Sequence, residues 1–156
     1  MENGKEVFLQ SQFVSLLKQI PSDTLPAWGK MTLQQMIEHF SDSVRMASGK
    51  TEYTEIITPP GNVPKMQDFL ASDKPFKENT LNPLMPEVPV PVRNKSIELA
   101  LSELQEEIDF FFKTFEKKPH QLTRNPFFGD LNYPQNVQLL YKHALHHLRQ
   151  FGITVS

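Results

Sequence analysis

NKSIELALSELQEEIDFFFKTFEKK, residues 94–118, decides the fold class of this chain. Ile97, Leu101, Leu104, Ile108, Phe111 and Phe115 alternate by four and three residues, which draws one apolar seam of the kind that helical bundles bury. Lys117 and Lys118 fall in the last turn, where cations suit the helix dipole, and Pro119 stops the helix.

Three further helices are expected around it. Roughly from Lys5 to Gln19, the residues Val7, Phe8, Val14, Leu16 and Leu17 gather loosely on one side, and Ile20–Pro21 ends the run because a residue before proline avoids the helical region. The second helix spans about 32–48. Thr32 and Gln35 have the spacing of a capping box, and Leu33, Met36, Ile37, Phe40 and Val44 form one stripe. The fourth runs from about 133 to 151, opened near Asn132–Pro134 and closed by Gly152, with Val137, Leu140, Tyr141, Ala144, Leu148 and Phe151 inward. Between the second and third helices, residues 51–93 hold 8 of the 13 prolines, so this stretch is a long connection rather than a regular element. KMQDFLAS can form a short helix within it. EVPVPV can serve only as an edge or extended loop, given its prolines. The expectation is an all-α fold: one domain over 1–156, four helices and one long crossover.

Composition narrows the function. Apolar residues form 38% of the chain, with 12 phenylalanines, which is enough for a packed interior and too much for a disordered one. Lys and Arg number 16 against 18 Asp and Glu, a net charge of −2 with no long run of either sign. A chain that grips a phosphate backbone presents a basic face, so nucleic acid is not an expected partner. The absence of cysteine excludes disulfides, thiolate metal sites and cysteine nucleophiles. MENGKEVFLQ lacks the pattern of a secretory leader, and no apolar run approaches the ~20 residues that cross a bilayer. A cytoplasmic location with no membrane partner is the expectation.

Chemistry enters with the histidines. KHALHHLRQ places His143 and His147 one turn apart on the same side of the fourth helix, where two imidazoles can face one ion. His146 points nearly the opposite way and is expected to be exposed. The same spacing also suits two boundary histidines that bind nothing. A zincin reading fails, because Ala144 stands where that motif needs a glutamate. His39, beside Glu38, flanks the apolar stripe of the second helix and joins such a site only if helices two and four are neighbours. His120 follows Pro119 in a loop and carries no signal.

WGKMTLQQMIEHF (Trp28 to Phe40), NPFFGDL (Asn125 to Leu131) and YKHALHHLRQFG (Tyr141 to Gly152) resemble the DinB/YfiT-like metal-binding superfamily, in particular a bacterial branch that carries Trp-Gly-Lys-Met and Phe-Phe-Gly segments. The resemblance covers nearly the whole chain. It implies a four-helix bundle with a long Pro-rich connection between helices 2 and 3. It also implies one divalent ion, zinc or nickel first among the candidates, on His39, His143 and His147. Water or a substrate group would complete the shell, leaving the open position typical of a catalytic metal. Gln150 matches a glutamine three residues after the last ligand, suited to orienting that ligand. Leu148–Arg149 departs from the Arg-Gly of many relatives.

Glu38, Lys30 and Trp28 are further candidates near the site, although Trp28 suits bundle-end packing and Lys30 a solvated position before the helix. Phe127, Phe128 and Gly129 read as a plug and turn leading into helix four, and Arg149 adjoins the site. The functional expectation is a metal-dependent hydrolase or thiol-dependent transferase acting on a small molecule, with a low-molecular-weight thiol as possible partner and a homodimer as assembly. The alternative is a non-catalytic dimeric bundle whose histidines are structural or vacant.

Overall fold

Capping side chains decide where the long helices begin. The computed structural model describes residues 4–78 and 88–155. Helix α3 (Leu33–Ser48) opens at Thr32, whose hydroxyl accepts from the Gln35 N–H while the Gln35 side chain accepts from the Thr32 N–H, the capping box its spacing predicts. Helix α5 (Ile97–Lys117) opens at Ser96, which accepts from the Leu99 N–H. Helix α6 (Tyr133–Gln150) opens on a second capping box, Asn132 with Gln135. Gly152, at φ 89°, takes the left-handed conformation beyond its end, so that the Ile153 N–H reaches the Leu148 carbonyl.

The N-terminal helical run has an internal defect. Helix α1 (Gly4–Val7) passes through a π-helical turn (Phe8–Gln12) into helix α2 (Phe13–Lys18), and the Phe13 N–H bonds to the Phe8 carbonyl. A five-residue spacing fits it: the wider turn sets the Phe8 and Phe13 rings 6.0 Å apart, and Phe8, Leu9, Phe13 and Val14 are all buried. Val7, expected on the inner side, is therefore turned outward and exposed.

Most of the core joins these helices. Phe13, Leu33, Met36, Ile37, Phe40, Leu104, Ile108, Phe111 and Leu148 are fully or almost fully shielded within one apolar cluster. Helix α3 packs chiefly on α5 and also contacts α6. The fold is thus mainly helical, with one small sheet that the sequence reading did not include. Strands β1 (Thr123–Asn125) and β2 (Gly129–Leu131) pair antiparallel, Thr123 opposite Leu131. Asn125 makes the turn, its side-chain oxygen accepting from the N–H groups of Phe127 and Phe128, and Gly129 supplies the positive φ. Three-residue strands are too short to show alternation.

The Pro-rich connection contains a 3₁₀ turn (Pro60–Asn62) and helix α4 (Val63–Ala71), which encloses most of KMQDFLAS. Leu70 packs with Phe128 and Leu131 in a second apolar cluster, bordered by Phe69, Phe76 and Leu139. The α4 C-terminus is held from α6: the Lys142 ammonium donates to the carbonyls of Phe69 (2.8 Å) and Ser72 (3.2 Å), and the Gln138 amide to that of Leu70 (3.0 Å). Residues 88–92 belong to no helix or strand, and Glu87 of EVPVPV lies outside the described residues. Among the described residues no helix is long and apolar enough to cross a membrane.

Candidate metal centre

His39 sits in the second turn of α3, two residues past Ile37 and one before Phe40, both fully buried. His143 and His147 sit one turn apart near the end of α6, where Ala144 and Leu148 hold the helix against the core. The packing of α3 beside α6 brings the three rings together. The His39 ring centre lies 5.3 Å from that of His143 and 5.4 Å from that of His147. One ligand nitrogen from each residue lies within 4.8 Å of the others, and the Nε2 atoms of His143 and His147 are 2.7 Å apart. Nitrogens around a tetrahedral zinc at ~2.0–2.1 Å stand ~3.3 Å from one another, a spacing these separations bracket. Three imidazoles this close can hold one metal ion.

The proton of His147 is placed by a relay. The Gln150 amide nitrogen donates to the Trp28 carbonyl at 2.9 Å, which turns its oxygen to His147 Nδ1 at 2.7 Å. That oxygen can only accept, so Nδ1 carries the proton and the Nε2 lone pair faces the cluster. The Ala27 N–H donates to the Gln150 carbonyl, tying the 27–28 segment to the end of α6. Gly29 lets the chain pass: at φ 76°, a Cβ there would stand 3.3 Å from the Gln150 amide.

Electrostatics keep the rings available as ligands. Burial, then the neighbouring histidines, holds His143 and His147 well below the ordinary histidine pKa. Burial also lowers that of His39, reinforced by His146 and opposed by the Asp42 charge. Neutral imidazole is the form that binds metal. No carboxylate joins the cluster among the described residues. The Phe40 ring stacks on His143 at 4.8 Å, and Phe76 stands 6.3 Å away.

The other sequence candidates are placed unequally. Glu38 is buried but turned toward the segment before α5, accepting from the N–H groups of Arg93 (2.8 Å) and Asn94 (3.0 Å) and from the side chains of Asn94 and Gln34. Burial raises its pKa, and these hydrogen bonds outweigh that and lower it. It braces a loop. Trp28 serves through its carbonyl, while its half-buried ring lies 5.3 Å from that of His146. Lys30 is exposed, as is His120. His146, expected to be exposed, is half-buried, because Trp28 on one side and Phe76 (6.2 Å) on another cover it. Phe76 is the residue that sequence reasoning missed. It lies in the Pro-rich connection with no periodic signal, and reaches the histidines only because α4 is fastened to α6.

No family model, curated protein or solved structure matches this chain.

Proposed function

We propose that this chain is a divalent-metal-binding helical bundle of the DinB/YfiT type, acting as a metal-dependent hydrolase or thiol-dependent transferase on a small molecule. The observation that carries the reading is the convergence of His39, His143 and His147, with the His147 lone pair aimed inward by Gln150 and Trp28. Zinc or nickel suits three imidazoles. Such an ion, when bound, polarises a carbonyl, lowers the pKa of a bound water to about 7, or holds a thiol as thiolate. The chain's own part is to orient the ligands, keep them neutral and wall the centre with Phe40 and Phe76. A homodimer is the proposed assembly.

Metal analysis of protein purified without a histidine tag tests the centre. The expected result is about one divalent ion per chain, lost in both His143→Ala and His39→Ala. A wild-type protein that takes up no stoichiometric ion under metal-replete conditions overturns the reading. Loss in His143→Ala alone rejects the cross-helix geometry. A fourth protein ligand in the loaded protein, seen by X-ray absorption, rejects catalysis.

A non-catalytic reading has one observation of its own. With its Nδ1 proton on Gln150, His147 accepts at Nε2 from His143 Nε2 at 2.7 Å, so the pair is satisfied without an ion. The same metal analysis separates the two readings.

A further inference from the structure

Helix α4 and the turn after it are held to the molecule differently from the other helices. Of the nine residues of α4 only Leu70 is buried, with Met66 and Phe69 half-buried, whereas nine of the sixteen residues of α3 are buried. Little apolar surface resists its departure, and segments of that kind open before the core does. Upstream, the chain is fixed to the hairpin, where the Ile57 N–H donates to the Pro126 carbonyl at 2.6 Å. Downstream, Phe76 stands 6.3 Å from His143 and 6.2 Å from His146, its ring stacked on those of Phe69 and Phe128.

The polar hold on this segment converges on one side chain of α6. Lys142 is buried, and its ammonium donates to the carbonyls of Phe69 at 2.8 Å and Ser72 at 3.2 Å and lies 3.5 Å from that of Leu70. It also stands over the rings of Phe69 (4.1 Å) and Phe76 (5.4 Å). No carboxylate forms an ion pair with it among the described residues. A cation at a helix C-terminus satisfies carbonyls that have no partner within the helix. Water can replace either side of these bonds once the two elements part, so the hold is released at modest net cost.

We infer that residues 63–76 form a lid over the histidine centre, opening from α6 as one unit that carries Phe76 off His143, with Lys142 as its latch. The lid goes beyond the metal-binding reading, since it governs access to the histidines whatever they hold.

Hydrogen exchange of the metal-free full chain, followed by mass spectrometry, tests the lid. In wild type the α4 amides are expected to exchange at least about a hundredfold faster than those of α3 and α5, after correction for intrinsic rates. Lys142→Met leaves the α4 carbonyls without their donor and should speed α4 exchange about tenfold further, with α3 and α5 unchanged. Gln67→Leu removes the bond from α4 to the Phe128 carbonyl (2.9 Å) and should act in the same direction, which keeps the test open if Lys142→Met fails to fold. Reaction of His143 and His146 with diethyl pyrocarbonate should rise in step with α4 exchange in both variants. Amides of α4 as protected as those of α5 overturn the lid, and so does an equal rise in exchange across all three helices in the variants. Histidine reactivity that stays constant while α4 exchange rises overturns it too, because the segment then moves without uncovering the centre. Metal content, measured separately, decides the metal-binding reading and leaves these outcomes untouched.

Discussion

Glu38, Asp42 and Arg45 lie along one flank of α3, and His39 lies on another; the two flanks treat polar groups in opposite ways. On the first, Glu38 is held by hydrogen bonds from Gln34, Arg93 and Asn94, and Asp42 and Arg45 meet opposite charges. Arg45 reaches Glu107 at 2.8 Å, Asp42 at 3.0 Å and Glu103 at 3.1 Å, Lys50 reaches Glu107 at 2.8 Å, and Arg93 adds a second hold on Asp42 and Glu103. On the second, three imidazoles meet only one another, a glutamine amide and aromatic rings. The first flank is complete as folded and ties α3 to α5. The second gathers ring nitrogens at one point, where an ion would displace the proton that His143 shares with His147.

Acid should separate the two flanks most clearly. His39, His143 and His147 have folded-state pKa values below that of an unfolded histidine, so as pH falls the unfolded chain takes up protons first. Their contribution to the stability of metal-free protein is whole above pH ~6.5 and is lost below it, with a slope of up to ~1.4 kcal/mol per pH unit for each histidine kept neutral. Glu38 and Glu103 are shifted down: burial opposes this, and hydrogen bonds to Glu38 and the Arg93 and Arg45 pairs on Glu103 prevail. Their contribution persists to pH ~4.5 and fades as pH falls below it. Urea midpoints measured from pH 7.5 to 3.5 should therefore show two losses, and the double variant His39→Ala/His143→Ala should shrink the upper one, leaving the share of His147. Stability that stays flat between pH 7.5 and 5.5 breaks the comparison.

Arg45→Met attacks the first flank alone. It leaves buried Glu107 with Lys50 as its remaining partner in the network, and a loss of about 3 kcal/mol is expected in urea unfolding. Metal content should not change. A cost under about 1 kcal/mol would reduce the network to surface pairing.

Gln150→Leu has the smallest expected effect and touches only the second flank. It keeps the side-chain size but frees His147 Nδ1 and the Trp28 carbonyl. The ion should bind about 10–100-fold more weakly in a chelator competition, with helix content retained. Unchanged affinity would mean that the relay does not set the ring.

Much of this fold was legible because its signals are local. Thr32 with Gln35 marks the start of α3, and Pro119 stands just beyond the end of α5 at Lys117. The π turn was not read, although Phe8 with Phe13 and Leu9 with Val14 already show its five-residue repeat; the expected period was simply the wrong one. The hairpin escaped because three residues are too few to alternate. Of the site, His143 and His147 are a spacing pair on one helix. Glu38 shows the limit of adjacency: next to His39 in the chain, it spends its carboxylate on Arg93 and Asn94.

The sequence by itself determined the helices, their caps and the pairing of His143 with His147, since each depends on residues within a turn or two of one another. Only the tertiary structure decided that His39 faces that pair, that Gln150 reaches Trp28, and that Phe76 covers the rings. Those contacts join residues far apart in the chain. They exist because apolar faces with no sequence relation to one another were buried together, and that burial, rather than any motif, carries the histidines to a common point.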